Sequence, residues 1–312
     1  MPGTDSGSVN RRSLLAVGGS FAAFALNVAT MERALAQANP AAPPQPAAGG
    51  QAASPGKVTL DRVGGGVLMI GIDRPQASNR VDPPILIGLG KAYYQLDHDD
   101  TLRVAVLHGI GKDFAIGLDV PAFAAATAAG VLPPKDPDFI NPLNLAQPRA
   151  KPVVVALQGA ANAVGHELAL AADIRIAASD ARFSQLEVAN GVFAAGGATA
   201  RFTREAGWGN AMRYLLTGDS FGAEEAFRMG LVQEITPPDK QLDRATEIAK
   251  KIASMAPLGV QATLASAHQA IASEDAALKA LQPEFQRLLR SDDAKEARAA
   301  REQGRTPVYL GH

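Results

Sequence analysis

The sequence predicts an α/β fold that ends in a helical C-terminal region. Three observations carry this. Apolar, β-branched runs of strand length recur between residues 57 and 238, segments with helical spacing separate them, and beyond Pro238 the pattern is helical almost throughout. Strands that alternate with helices imply a mostly parallel or mixed sheet covered by helices. With 312 residues, 47% hydrophobic and 20% charged, the chain has ordinary globular composition.

Residues 1–36 read as an export signal rather than as part of the fold. A polar start leads into Asn10-Arg11-Arg12-Ser13-Leu14-Leu15, an apolar stretch runs on to Ala29, and Ala34-Leu35-Ala36 offers a small-x-small cleavage site. The stretch is too short and too rich in Ala and Gly for a transmembrane helix. The paired Arg11-Arg12 resembles a twin-arginine (Tat) signal, whose export machinery carries proteins already folded. A periplasmic or exported protein is therefore expected. The alternative is a disordered or amphipathic extension on a cytoplasmic one. Residues 37–56 are Ala, Pro, Gln and Gly almost throughout, cannot bury a core, and read as a linker.

From Lys57 the elements follow in order. Val58–Leu60 and Val67–Ile72 flank Gly64-Gly65-Gly66 and predict a hairpin. Pro84–Gln95 has helical spacing, Val104–His108 reads as a buried strand, and Val153–Leu157 as another, entered through Pro152. Ala163–Ala171 is expected as a helix and Ile174–Ala177 as the next strand. The body is thus placed at 57–238. Residues 239–312 are expected to hold helices at about Gln241–Met255, Gly259–Ser273, Glu274–Leu289 and Ala294–Glu302. Between them Val120–Lys151, with prolines at 121, 133, 134, 137, 142 and 148, reads as a long loop of the kind that is usually functional.

Several function classes drop out. A formal net charge of -1 and the lack of a basic stripe argue against nucleic-acid binding or a polybasic membrane surface. No cysteine is present, so disulfides, thiolate nucleophiles and Cys-ligated zinc are excluded, and the five histidines show no metal-ligand spacing. Dinucleotide-binding, Walker A, HExxH and GxSxG patterns are all missing.

Two Gly-containing strand-to-helix turns remain, Gly109–Asp119 and Gln158–Asp173. Each bends the chain with backbone N–H groups unpaired, and the second opens a helix whose N-terminus favours negative charge. Two such N–H groups converging on one oxygen would make an oxyanion hole. Glu167 lies in the first turns of that helix and Glu187 in the loop after Arg182-Phe183-Ser184-Gln185. Read alone, both are ordinary carboxylates at a helix start and in a surface loop. Asp173 reads as structural, His108 and His166 as packing or hydrogen-bonding residues, and Phe114, Trp208 and Tyr214 as core.

These two turns resemble the signature regions of the crotonase (enoyl-CoA hydratase/isomerase) superfamily. The similarity continues in Ile72–Asn79, in Arg182–Val188 with Gly191, Gly196-Gly197 and Thr199, in Tyr214–Gly218, in Ala223–Val232 and in the tail from Ser291 to Gly311. The resemblance implies a spiral of β-β-α units whose helical C-terminal region packs trimers, sometimes paired as hexamers. It implies no cofactor and an acyl-CoA substrate. It places the oxyanion hole on the N–H groups of Leu118 and Val164 and the acid/base pair on Glu167 and Glu187. Lys112, Gly117, Asp119 and Gly165 become substrate-binding positions, Lys112 toward a CoA phosphate.

The leading expectation is hydration of an α,β-unsaturated thioester. A double-bond isomerase, a C–C hydrolase of β-diketones that needs no CoA, and a non-catalytic binding protein are the alternatives. This chain departs from the pattern at Ala163-Val164-Gly165, where many relatives carry glycines. A β-branched residue avoids positive φ, so an ordinary backbone conformation is expected there. Gln76 also stands where a Lys near the CoA adenine is frequent.

Overall fold

The computed structural model describes residues 54–312 apart from Pro133, Lys135, Ala146 and Gln147. The signal-like segment and the linker up to residue 53 lie outside the described residues. Strand β1 (Lys57–Arg62) pairs antiparallel with β2 (Val67–Asp73), the hairpin expected around the glycine turn. Next come β3 (Val104–Gly109), β4 (Val153–Leu157), β5 (Ala160–Asn162), β6 (Ile174–Ala178), β7 (Arg182–Ser184), β8 (Phe221–Gly222) and β9 (Glu234–Thr236). The main sheet has the order β1-β2-β3-β4-β6-β9, and every pairing after the first is parallel. A second sheet, β5-β7-β8, is made of strands of two or three residues.

The parallel strands are buried on both faces, which is why they read as continuous apolar runs. Leu68, Ile70, Ile72, Leu107, Val153, Val155 and Leu157 point into the larger core. Helix α1 (Pro83–His98) contributes Ile85, Leu86, Leu89, Tyr93 and Leu96 to that core. The alternate residues Val67, Met69, Val104, Val106, Val154 and Ile176 face the other way. There α7 (Gln241–Ala253) lies on the sheet through Ala245 and Ala249, one helical turn apart. Between these come α2 (Val120–Ala128), α3 (Val164–Leu170), α4 (Ala198–Ala206), α5 (Trp208–Leu215) and α6 (Ala223–Arg228). The helical close of the chain is α8 (Pro257–Ala272), α9 (Glu274–Leu289) and α10 (Asp292–Glu302).

Two expectations are corrected. Val120–Lys151 is not all loop, because α2 occupies its first nine residues. Asp119 caps this helix by accepting from Ala122 N, and Pro121 sits in the first turn, where a missing N–H has no consequence. Trp208 is not core but 72% exposed. It is the first residue of α5, and Ala211 and Leu215, one and two turns later, hold the buried positions.

Helix α1 begins at Pro83, one residue earlier than the pattern suggests, because Asp82 caps it. Asp82 Oδ1 accepts from Ile85 N at 3.0 Å and its Oδ2 from Gly56 N at 2.7 Å. The same Oδ2 stands 3.5 Å from Arg74 Nε, and both side chains are almost wholly buried. Removing one member of a buried pair strands the other charge, at about 3–5 kcal/mol. Because Arg74 keeps Asp119 as a second partner, Asp82→Ala is expected to lower stability by about 2 kcal/mol in urea unfolding, more than a cap alone. A loss below about 1 kcal/mol, the size of a cap alone, would show the ion pair to be idle.

Candidate active site

A short transverse ladder brings the two glycine turns together. Ala115 N donates to Ala160 O at 3.0 Å, and Asn162 N donates to Ala115 O at 2.9 Å, so Ala115 lies beside Ala161. On its other side Ala161 pairs with Phe183 in the β5–β7 ladder, and Ala163 N continues the contact to Ser184 O at 2.8 Å. Three segments distant in sequence therefore run side by side in fixed register. Three residues beyond Ala115 stands Leu118, three beyond Ala161 stands Val164, and four beyond Phe183 stands Glu187.

Leu118 is bridged to Val81, whose N–H donates to Gly117 O and whose carbonyl accepts from Asp119 N, both at 2.8 Å. In such a bridge the middle residue's own N–H points to the opposite side. Val164 opens α3, so its N–H has no preceding turn to serve. The turns touch, since a Cβ on Gly117 would lie 3.6 Å from the Cβ of Ala163. Gly165 permits the approach, because a Cβ there would fall 2.2 Å from Ala115 O. Val164 itself is helical, and the neighbouring Ala163 takes φ 50°, ψ -122°. The expectation of an unstrained turn is corrected: the strain, about 1–3 kcal/mol, has moved one residue upstream.

The Leu118 turn is anchored from below by a buried ionic knot. Arg74 Nη1 donates to Asp119 Oδ2 at 2.8 Å, Arg74 N donates to Asn79 Oδ1 at 2.8 Å, and Asn79 Nδ2 donates to Ile110 O and Asp113 O. Asp113 Oδ1 in turn accepts from Ala160 N at 2.9 Å, tying the first turn to the second. Lys112 is exposed on the rim of the first turn.

Glu167, in the first turns of α3, is 3% exposed. Its Oε1 accepts from Ala198 N at 3.2 Å, so the carboxyl supplies the N-terminal partner that α4 lacks, Gly197 having no side chain. Gly196 makes room, since a Cβ there would sit 2.2 Å from Glu167 Oε2. Burial first, then the charge of Glu187, push the Glu167 carboxyl up to about 8. The N–H groups of Ala198 and Gly196 and the Arg201 guanidinium pull the other way. Arg201 also donates to the carbonyls of Gly196, Leu143 and Asn144, fastening the long loop to this wall.

Glu187 opens a 3₁₀ turn, Glu187–Asn190, and burial raises its carboxyl as well. The Gln185 amide lies against it, donating to both carboxyl oxygens at 3.0 Å while its own oxygen accepts from His166 Nδ1 at 3.2 Å. Beyond Glu187 a cavity of about 110 Å³ is walled by Val188, Phe193, Ala194, Met212, Leu215 and Leu216.

The structure thus gathers Leu118, Val164, Glu167, Glu187, Gly117, Asp119 and Gly165 in one place. Gln185, Gly196, Ala198 and Arg201 belong there too but were not singled out from the sequence. Gly196 lay within a quoted segment, and the Gln-x-Glu spacing of 185 and 187 was a visible signal for a shared face. Asp173 is structural as expected, accepting from Val153 N at 2.7 Å, and His166 is buried.

A carboxyl pair buried beside two turn N–H groups on this fold defines an acid/base enzyme of the α/β class. Residues 62–310 match the enoyl-CoA hydratase/isomerase family, and the chain belongs to it. It is 39% identical to the (E)-benzylidenesuccinyl-CoA hydratase of Thauera aromatica over 66% of this chain and 80% of that one. It is 32% identical to the 2,3-dehydroadipyl-CoA hydratase of Escherichia coli, over 78% and 95%. Among solved structures, a probable enoyl-CoA hydratase/isomerase from Mycobacterium abscessus superposes with a TM-score of 0.78 at 44% identity, covering 82% of this chain and 99% of its own. The enoyl-CoA hydratase of Mycobacterium tuberculosis gives 0.74 at 35% identity, covering 82% and 99%.

A carboxyl held near 8 in the fold and near 4.5 in the open chain makes stability fall as pH rises between those values, because the unfolded chain releases a proton that the folded one keeps. Glu167→Gln is neutral and close in shape, and its amide oxygen still accepts from Ala198 N. Its urea midpoint is expected to exceed that of the wild type at about pH 8, the gain vanishing toward about pH 4. A difference independent of pH would mean that Glu167 titrates as a solvated acid.

Proposed function

We propose that the protein adds water across the double bond of an α,β-unsaturated acyl-CoA thioester. The observation that carries the reading is the carboxyl pair, Glu167 and Glu187, fixed on either side of a site that also presents the N–H groups of Leu118 and Val164. The thioester oxygen accepts from those two groups, which stabilise the enolate-like charge that develops on it. Glu167 helps activate the water whose oxygen bonds to the β-carbon, and Glu187 delivers a proton to the α-carbon. One proton leaves water for Glu167 and one leaves Glu187 for carbon, so the pair keeps its single proton, which passes back from Glu167 to Glu187 before the next turnover. Burial raises both carboxyls, and the charge of Glu187 raises Glu167 further, which lets the pair share one proton near neutral pH and divide acid from base duties. Lys112, Gly117, Asp119 and Gly165 line the path of the CoA thioester in this reading. No cofactor takes part.

The family's named hydratases support the acyl-CoA substrate. The apolar residues Ile271, Leu278, Leu281, Phe285 and Leu289, exposed on α8 and α9, support assembly into trimers or paired trimers. The twin-arginine segment supports export of the folded chain, with 37–56 as its linker. It also favours a second reading, C–C hydrolysis of a β-diketone, because that reaction uses the same hole without CoA.

Hydration of crotonyl-CoA, followed as loss of the conjugated thioester absorbance, tests the first reading. Glu167→Gln and Glu187→Gln are each expected to lower kcat by about 10²–10⁴-fold. Wild-type turnover no better than that of both variants would sink it, and cleavage of a β-diketone by the same preparation would install the second. For export, replacing Arg11-Arg12 by a Lys pair is expected to hold the protein in the cytoplasm. A cytoplasmic wild type would refute the signal.

A further inference from the structure

His166 is a titratable part of the site's wall that the proposed chemistry leaves without a task. It lies beside Glu167 on α3 and is 2% exposed. Its ring is gripped by three phenylalanines, with centroids 5.3 Å from Phe183, 5.7 Å from Phe202 and 5.7 Å from Phe221. A leucine would fill such a pocket without burying a polar ring. The ring's polar contact is Gln185, itself 1% exposed, and Gln185 reaches onward to Glu187.

The three groups form a line with one sense. When Glu187 is ionised, an amide nitrogen facing its carboxylate is favourable and an amide oxygen is not, so in that state Gln185 turns its nitrogen to Glu187. Its oxygen then faces His166 and requires a hydrogen on Nδ1. Burial, with the charge of Arg175, pushes the His166 imidazole down to about 3, so the ring is neutral and one tautomer supplies that hydrogen. The amide donates to both oxygens of Glu187 at 3.0 Å, which fixes the rotation of the carboxyl group. Because His166 and Gln185 are buried, the hydrogen bond between them is strong, and a missing partner there is poorly replaced.

Resting on the hydratase reading, we propose that His166 is a positioning residue that acts through Gln185 to set the orientation and proton affinity of Glu187. The other groups facing Glu187 leave this task to the relay. The titratable neighbour on α3 is Glu167, which repels it, and Arg201 is engaged with Glu167 and the loop carbonyls. On the cavity side Val188, Phe193, Met212, Leu215 and Leu216 carry no charge, and Thr199 adds only a hydroxyl.

The test uses the full chain and three variants. His166→Phe keeps an aromatic ring among the phenylalanines and removes the donor, whereas His166→Asn keeps an N–H near the position of Nδ1 and gives up the ring. Gln185→Leu removes the relay itself. With crotonyl-CoA, His166→Phe is expected to lower kcat about tenfold, the effect of one buried hydrogen bond left unmade, with KM within about twofold. His166→Asn is expected to recover most of that loss. The double variant His166→Phe, Gln185→Leu is expected to fall no further than Gln185→Leu alone, the mark of two residues acting as one unit. A wild-type kcat in His166→Phe, or losses that multiply in the double variant, would overturn the proposal.

A second readout needs no turnover. In ¹³C-carboxyl NMR titration, losing the amide's donation is expected to raise the Glu187 pKa in His166→Phe and in Gln185→Leu alike. An unshifted Glu187 would overturn the relay even in an active enzyme. A protein that leaves crotonyl-CoA untouched while Glu187 still shifts would overturn the hydratase reading instead.

Discussion

The site depends on one row of residues: Ala115, Ala161 and Phe183 side by side across three segments. Few backbone hydrogen bonds make the row, yet they set the register of everything beyond it. A slip of one residue in a strand turns its side chains to the other face. Here such a slip would carry Leu118 away from Val164, and Glu187 away from Glu167. The small sheet β5-β7-β8 contributes little buried area. It works as an alignment device laid at the edge of a large parallel sheet, and that sheet supplies the rigidity through α1 on one face and α7 on the other.

Small side chains make the alignment possible. Gly165 lets α3 press against Ala115, and Gly196 lets the start of α4 close over Glu167. Ala163 accepts a backbone conformation that its Cβ resists. The charges around this region fall into two kinds. Arg74, Asp82 and Asn79 are buried and satisfied together with the half-buried Asp119, and they hold the loops beneath the first turn. Glu167 is buried and Glu187 half-buried, and the two repel each other, with the Arg201 guanidinium as partial compensation for Glu167. The first kind keeps the shape, whereas the second holds protons in an unstable balance, which is what acid/base chemistry requires.

Much of the fold was legible in the sequence because periodicity is strong where burial is deep. Val153–Leu157 and Glu274–Leu289 coincide with their elements, the strand because Pro152 marks its entry and the helix because Ser273 caps it. Strands of two or three residues have no period to detect, so β5, β7 and β8 left no trace. Proline at the front of α2 masked a helix by looking like a breaker. Trp208 looked like core because size suggests burial, whereas its place at the first turn of α5 decided otherwise. For the site, the two glutamates and the N–H groups were legible through resemblance to a family. Gln185, Gly196 and His166 were not, since their roles arise from adjacency across the ladder rather than from spacing along the chain.

The carboxyl of Glu167, carried on α3, also caps the start of α4. A helix start and a proton reservoir are thus the same atoms, and the protein cannot optimise one without touching the other. A lineage released from the need for this chemistry would gain from drift here, because nearly any neutral residue of similar size relieves the burial and the repulsion. Glu167 thus ties the proton balance of this wall to the stability of the helix that follows it, and a change at either is felt at both.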